Sequence, residues 1–356
     1  MKKAILLVSI LLIASTLTAQ EAKQTFTRKV VIEQFTGSTC GWCPRGANYI
    51  EEAIGTSTNV VWVKYHAGFQ PDFLTNDIAN EMTVFFGGST YAPALMVDRT
   101  HLDASKPGPV TGISSPSQIR SLIADAKQVP TACKVYTPEV SFDPATRQLT
   151  VTASGRFGDD SYDQDTRVIV FIVEDNVIGY QSDYVEGSHD EYAHMGTVRE
   201  AITDMWGDVL DVDAANNRTF SHTYTTTLSE DYNYANCKIA VIVHHRPGTD
   251  INNSPVLNAA ESDYLTNYLG IGEVAEGCSL RLFPNPASQQ VYVELDDAAD
   301  LSTTTLTLYD AMGRIVLRQP AASTRTSLNV SALPAGLYLL RVSTPAGTAT
   351  RQLMVQ

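Results

Sequence analysis

The stretch Val30–Gly46, VVIEQFTGSTCGWCPRG, decides the fold prediction. An apolar run typical of a buried β-strand is closely followed by a Cys-Gly-Trp-Cys motif, and the next residues have the spacing of an amphipathic helix. A helix that begins at such a motif directs its unpaired N–H groups and its positive dipole end at the first sulfur. We therefore predict Cys40 as a thiolate nucleophile and Cys43 as the resolving thiol.

Three kinds of chemistry fit the cysteine pair. It can be redox-active, it can be a permanent structural disulfide, or it can be half of a zinc site. A structural zinc site needs four ligands, and the chain has no second C-x-x-C; the other cysteines, Cys133, Cys237 and Cys278, are scattered. We favour the redox-active pair and expect no metal ion and no cofactor. A second disulfide between Cys133 and Cys237 is left open.

The pattern up to residue 130 continues as strand 59–66, helix 72–86, an apolar strand 91–98 and helix 117–126. Pro93 enters the third strand, about 50 residues after the cysteines, and resembles the cis-proline of the thioredoxin fold. The resemblance implies an α/β thioredoxin-like domain over residues 21–130, with Pro93 facing the cysteine pair. It also implies that Trp42 and Ala92 contact an extended substrate chain.

Two further residues bear on this resemblance. Thioredoxins bury an acid six positions before the first cysteine, but this chain has Gln34 there, so its redox strength is not predictable. His66 closes the second strand and is either a residue that tunes a thiol pKa or an ordinary strand-end histidine.

Residues 33–44, EQFTGSTCGWCP, are similar to the E-x-F-T-G-x-x-C-G-x-C-P signature of the Omp28-related family of Bacteroidetes outer-membrane or surface proteins. This resemblance implies a fold and a cellular location, and it indicates little about the reaction that the protein performs.

The middle of the chain, residues 131–270, is rich in short strand patterns and predicts an all-β sandwich-like domain. We expect one helical insertion near residues 198–205. Two long acidic and aromatic loops, 159–165 and 180–194, separate the strands. The first has several aspartates but lacks the EF-hand glycine and terminal glutamate, so we predict a solvated loop there.

Both ends of the chain carry transport signals. Residues 1–20 have the three regions of a secretory signal peptide. The apolar run in it is shorter than the ~20 residues that a membrane-spanning helix needs, and no other segment comes close to that length. After a linker at 271–281, residues 282–356 predict a small β-sandwich with a Phe-Pro-Asn-Pro start, a Tyr-Asp-x-x-Gly-Arg turn and a Pro-x-Gly-x-Tyr strand. These motifs resemble the C-terminal sorting domain of type IX secretion substrates, which implies the type IX machinery as a partner.

A formal charge of −14 argues against a nucleic-acid partner, because an acidic surface repels the phosphate backbone. We predict a protein exported through the periplasm to the outer membrane surface or the extracellular space. Its predicted activity is exchange with protein or peptide thiols and disulfides. The alternative is a non-catalytic surface binding or adhesion protein with a fixed disulfide.

Overall fold

The computed structural model describes residues 24–67, 70–87, 92–101, 105–246, 248–268, 280–295, 301, 304–310, 314–344 and 347–356. The predicted signal peptide and Cys278 lie outside these ranges, as does most of the predicted linker. No helix in the described part of the chain is both long and apolar enough to cross a bilayer.

The first part of the chain alternates strands and helices. Helix α1 begins at Cys43 and carries Pro44 in its first turn, where a missing N–H leaves no acceptor unsatisfied. Helix α2 begins later than predicted, because the side chain of Asn76 accepts a hydrogen bond from the amide of Ala79 and caps it there. The elements are β1 Val30–Thr36, α1 Cys43–Ile54, β2 Val60–His66, α2 Asp77–Phe86, β3 Ala94–Val97, β4 Thr111–Gly112 and α3 Pro116–Gln128.

The middle of the chain is built of strands. The helix that we predicted near residues 198–205 is wrong, because Thr197–Ala201 forms a strand. A bulge between Val198 and Glu200 places Val198 and Ala201 in the same core although they are three residues apart, a spacing otherwise typical of a helix. The strands are β5 Cys133–Val135, β6 Glu139–Asp143, β7 Gln148–Phe157, β8 Thr166–Glu174, β9 Val177–Gln181, β10 His189–His194, β11 Thr197–Ala201, β12 Asp208–Val209, β13 Thr219–Thr227, β14 Cys237–His245 and β15 Val256–Glu261.

The predicted fold class, an α/β thioredoxin-like domain followed by a separate sandwich-like domain, is wrong. Strands from both parts form one nine-stranded mixed sheet in the order β15-β14-β8-β11-β2-β1-β3-β4, with β12 beside β8. β11 pairs in parallel with β2 at Thr197 and Lys64, so strands from the middle of the chain continue the sheet beyond β2. The described chain is mostly β, with three α-helices. The boundary after residue 130 stays a prediction, although one sheet includes strands from both sides of it.

Strand β8 explains why the sheet is continuous. Val168, Val170 and Ile172 pack into the core formed with a second sheet, which contains β5, β6, β7 and β13. The alternate residues Ile169, Phe171 and Val173 pack into the core that also contains α2. A strand buried on both faces has the nearly uninterrupted apolar sequence observed here.

On the face of the nine-stranded sheet opposite the core that contains α2, strands β1, β2 and β3 pack against α1 and α3. The β9–β10 hairpin stands apart as a two-stranded sheet. It lies next to the start of α1 through the contacts described below.

The C-terminal part is a small β-sandwich, as predicted. Its two sheets have the orders β16-β17-β20 and β19-β18-β21-β22 and enclose their own apolar core. The strands are β16 Leu280–Phe283, β17 Gln290–Leu295, β18 Thr305–Tyr309, β19 Ile315–Pro320, β20 Arg325–Asn329, β21 Gly336–Thr344 and β22 Gly347–Val355.

Candidate functional site

The two predicted redox cysteines form a disulfide at the start of α1. Cys43 is the first residue of the helix, and its amide donates a hydrogen bond to the carbonyl of Cys40 at 3.1 Å. Only 3% of Cys40 and 1% of Cys43 is exposed to solvent. Trp42 between them is half exposed. The disulfide therefore lies just below the surface, with an aromatic ring beside it.

The predicted proline lies next to the same helix. The bond between Ala92 and Pro93 is cis, and both residues are partly buried. A Cβ built on Gly46, in the first turn of α1, would lie 2.5 Å from the Cβ of Pro93. The structure thus brings Pro93 against the turn that begins with Cys43. The catalytic roles of Cys40, Cys43 and Pro93 and the substrate contacts of Trp42 and Ala92 stay predictions.

A segment of the β9–β10 hairpin, residues 181–186, lies over the disulfide loop and is termed here the covering segment. The amide of Ser182 donates to the carbonyl of Ser38 at 2.7 Å, and the amide of Tyr184 donates to the carbonyl of Gly41 at 2.9 Å. The side-chain amide of Gln181 donates to the carbonyl of Cys40 at 3.1 Å. Residues far apart in sequence therefore satisfy the backbone around the disulfide.

Side-chain packing reinforces this cover. The ring of Tyr184 lies so close to Gly41 that an added Cβ would come within 2.4 Å of it. The same ring meets Trp42 edge-on, with ring centroids 5.7 Å apart. Glycine at position 41 is thus required by the close approach of the covering segment.

Two polar residues of β1 lie below the loop on opposite faces of the strand. Gln34 is fully buried, on the same face as Val30 and Ile32, and neither atom of its amide has a hydrogen-bond partner in the described structure. Glu33 faces the other core, where Arg99 donates two hydrogen bonds of 2.8 Å to its carboxylate. Position 34 therefore provides a buried neutral side-chain amide where thioredoxins have a carboxylate.

His66 belongs to a buried polar group behind the disulfide loop. Its Nδ1 lies 3.0 Å from Oδ2 of Asp72, and that carboxylate also accepts the amide of Ser38. Burial lowers the pKa of His66. Burial and the neighbouring His66 lower the pKa of His194 to about 4, and the two imidazole rings lie 5.1 Å apart. Both rings are neutral at pH 7, so His66 supports the loop through Asp72.

The remaining described cysteines do not pair. Cys133 and Cys237 are both free and buried, so the disulfide between them that we left open does not form. Burial raises the pKa of both thiols, that of Cys237 to about 12, and each behaves as an apolar core residue.

Sequence reasoning missed the covering segment. We predicted the acidic stretch from 180 to 194 as a long loop between strands, yet it contains most of the hairpin, β9 Val177–Gln181 and β10 His189–His194. Burial alternates along β9, but Ile178 and Tyr180 point outward while the polar Gln181 points inward, so the sequence lacks the polarity pattern of a half-buried strand.

The comparisons with known proteins match two parts of the chain. The model of the family described as outer membrane protein Omp28 matches residues 117–260, and the model described as secretion system C-terminal sorting domain matches residues 281–356. The first match begins after the cysteine motif and does not include it. No curated protein matches the chain.

Among solved structures, HBP35 of Porphyromonas gingivalis superposes with a TM-score of 0.58 at 17% sequence identity, covering 93% of this chain and 99% of that one. Dimeric latent PorU from the same organism gives a TM-score of 0.19 at 11% identity, covering 63% of this chain and 20% of that one. The BSP domain of a biofilm associated protein gives 0.20 at 10% identity, covering 63% and 52%. The last two scores are too low to inform the fold, whereas the first shows a similar overall architecture.

These matches define a class of exported surface proteins, and they confirm the predicted location at the outer membrane surface or in the extracellular space. Within that class, the chain is similar to the Omp28 family over residues 117–260 and to C-terminal sorting domains of the type IX secretion system over residues 281–356. The sorting domain implies contact with the type IX machinery during export.

Proposed function

We propose that this protein is a non-catalytic binding protein of the cell surface, in which Cys40–Cys43 is a structural disulfide. Burial of both sulfurs beneath the covering segment carries the proposal. Thiol–disulfide exchange requires an incoming thiolate to reach one sulfur of the bond. Cys40 is 3% exposed and Cys43 is 1% exposed, so a thiolate cannot reach either sulfur while the covering segment is in place.

The backbone around the disulfide supports the same proposal. A substrate strand docks beside a reactive disulfide through free carbonyl and amide groups. Here the carbonyls of Ser38, Cys40 and Gly41 already accept hydrogen bonds from the covering segment. Displacing that segment breaks these bonds before any substrate contact forms, so exchange at this site carries an added energetic cost.

Gln34 also fits a structural disulfide. A carboxylate at this position could accept the proton of the resolving thiol, but a neutral amide cannot. The nearest acid in sequence, Glu33, already forms a buried ion pair with Arg99 on the other side of the strand.

The same part of the molecule exposes a surface suited to binding. Trp42 and Tyr184 form an aromatic pair at the disulfide, Val185 follows on the covering segment, and Ile178 and Tyr180 lie on the outer face of β9; all five side chains are exposed. We term these five residues the aromatic surface. Exposed aromatic and apolar side chains in one region mark interaction sites. Glu186, Asp190 and Glu191 are exposed on the same hairpin, so we propose a protein or peptide partner that presents apolar and basic side chains.

The disulfide is tested by insulin reduction and by the reduction potential of Cys40–Cys43 in the mature protein. We expect turnover equal to that of the Cys40→Ser variant, and a potential below about −300 mV, the range of structural disulfides in secreted proteins. Turnover that requires Cys40, together with a potential in the glutathione range, would contradict the proposal.

The binding surface is tested with a fluorescently labelled peptide of alternating Lys and Leu. Trp42→Ala and Tyr184→Ala should each weaken binding about 5–30-fold, as expected for aromatic contacts near the centre of an interface. Val84→Ala, at an exposed apolar residue of α2, is the matched control and should leave affinity unchanged. Equal affinities for all four proteins would contradict the assignment of this surface.

A second candidate function is thiol–disulfide exchange, with Cys40 attacking, Cys43 resolving, Pro93 positioning the substrate, and Trp42 and Ala92 contacting it. The observation that favours it is the packing of Pro93 against the first turn of α1. This activity requires the covering segment to open. A variant that weakens the cover, such as Tyr184→Ala, would then reduce insulin faster than wild type, whereas a structural disulfide yields no turnover in either protein.

A further inference from the structure

Three metal-ligating side chains converge in the hairpin that covers the disulfide. The carboxylates of Asp183 and Glu186 and the imidazole of His189 each place a ligand atom within 4.8 Å of the other two. The residues follow one another at intervals of three. Two turn features produce this convergence: Oδ1 of Asp183 accepts the amides of Val185 and Glu186 at 2.7 and 3.1 Å, and Gly187 adopts a φ of +89°.

The second carboxylate oxygen of Asp183 is directed at the imidazole. Its Oδ2 lies 3.9 Å from Nε2 of His189, which is too long for a hydrogen bond. An ion coordinated at about 2.0–2.2 Å by each atom would bring this pair closer by only a few tenths of an ångström. The side chain of Asp183 is 10% exposed and that of His189 is 38% exposed. An ion at this position would therefore have a largely buried ligand in Asp183 and would be reached from solvent on the side of His189.

The charge at this position also suits a cation. The ion pairs of the described residues that involve Asp183 include one with His189 and none with Lys or Arg. Within the described structure, no Lys or Arg side chain therefore neutralises the negative charge of Asp183 and Glu186.

The donor set narrows the class of metal. Calcium takes six to eight oxygen ligands, and magnesium is bound mainly by oxygen, so one imidazole with two carboxylates suits neither well. Imidazole and carboxylate ligands suit zinc and similar first-row ions, with water in the fourth position. We propose that Asp183, Glu186 and His189 bind a divalent transition-metal ion, represented by zinc, and that this ion fastens the covering segment over Cys40–Cys43.

The connection to the disulfide is direct in sequence and in space. Asp183 lies between Ser182 and Tyr184, whose amides hold the covering segment to the disulfide loop. An ion that fixes Asp183 favours the closed cover over the open one. A ligand that binds only the closed state reduces the open population by the factor 1 + [L]/Kd, so free zinc at 100 times its Kd should slow reduction through the open state about 100-fold. This site goes beyond the proposed function, because it requires neither catalysis nor a binding partner.

Zinc itself is the probe, and the protein is the mature chain with both cysteines replaced, Cys40→Ser and Cys43→Ser, so that neither thiol can act as a ligand. Competition with a chromophoric chelator measures the Kd. We expect one zinc per chain, a loss of affinity of at least tenfold for His189→Ala and for the near-isosteric Asp183→Asn, and no change for His222→Ala on β13. Circular dichroism of each variant checks that it is folded. Equal zinc affinity in the His189 and His222 variants would overturn the site.

A second measurement tests the fastening role in the protein with its disulfide intact. The rate of Cys40–Cys43 reduction by a phosphine is followed by alkylation and mass spectrometry, with and without zinc. We expect zinc to slow reduction in wild type and in His222→Ala, and to leave the rate unchanged in His189→Ala. If zinc binds through His189 but does not alter the wild-type rate, the fastening role is wrong and only the metal site stands.

Discussion

The backbone amide of Tyr184 donates a hydrogen bond of 2.9 Å to the carbonyl of Gly41, and its ring lies over the position where a side chain at residue 41 would begin. This relationship joins a strand hairpin to the disulfide loop of α1. It makes access to the disulfide depend on a contact that no local sequence pattern specifies.

Gly41→Ala should therefore loosen the cover. Its new Cβ would lie 2.4 Å from the Tyr184 ring, so the ring and its backbone must move. We expect reduction of Cys40–Cys43 to accelerate about tenfold or more, since displacing a packed contact costs about 1–3 kcal/mol. Reduction kinetics by alkylation and mass spectrometry measure the rate. Gly112→Ala is the control, because a Cβ there meets no atom within 4 Å. Equal rates in the two variants would show that Tyr184 does not limit access.

Gly46→Ala should destabilise the protein, against the usual trend for helices. Alanine in a helix interior is generally favoured over glycine by about 1 kcal/mol. At this position the added Cβ would lie 2.5 Å from Pro93, so overpacking outweighs the helix preference. We expect the free energy of unfolding in urea to fall by about 1–3 kcal/mol. An increase would mean that Pro93 withdraws from α1 at little cost.

The buried pair of Glu33 and Arg99 should be costly to break. Both side chains have no exposed surface, and the Tyr65 hydroxyl also donates to Glu33 at 2.7 Å. Glu33→Gln leaves the guanidinium charge buried without its counterion, which typically costs about 3–5 kcal/mol. The exposed pair of Glu52 and Arg120 provides the matched control, and Glu52→Gln should change stability by about 0–1 kcal/mol. Urea unfolding of both variants gives the comparison, and similar losses would contradict this expectation.

Stability should decline in acid because of His194. Its pKa is about 4 in the folded protein and near 6.5 when unfolded, so the unfolded chain takes up the proton first as the pH falls. The resulting destabilisation begins below pH 6.5, grows until about pH 4 and is constant below that.

His194→Gln removes this contribution. We expect the difference in unfolding free energy between pH 7 and pH 4.5 to be smaller in the variant, by about 1–3 kcal/mol. Asp72 does not obscure the comparison, because burial raises its pKa but the contacts with His66, Ser38 and Leu74 outweigh burial and hold it at about 2. An unchanged pH dependence would show that His194 accepts a proton freely in the folded state.

The local elements were largely predictable from the sequence. The apolar run of β1, the proline in the first turn of α1 and the alternation of β13 over Thr219–Thr227 each determine an element by short-range rules. The cysteine pair was singled out from its spacing and Pro93 from its resemblance to the cis-proline of the thioredoxin fold, and the structure places them beside the same helix turn.

The arrangement of those elements was not predictable in the same way. Which strand lies beside β2 depends on contacts between residues far apart in sequence, and nothing in Val60–His66 indicates that Thr197 will pair with Lys64. The covering segment was missed for the same reason. Two of its three anchors, at Ser182 and Tyr184, are backbone amides, which every residue except proline possesses, so its acidic sequence gave no sign of them.

The alternating burial of β8 has a further consequence for how the molecule comes apart. Val170 and Phe171 are neighbours in the chain but are buried in different cores. Unfolding of either core therefore displaces β8, which also contributes to the other core. The region from β1 to β15 should therefore melt in a single cooperative transition, and a protease cut near residue 130 should leave two fragments that remain associated.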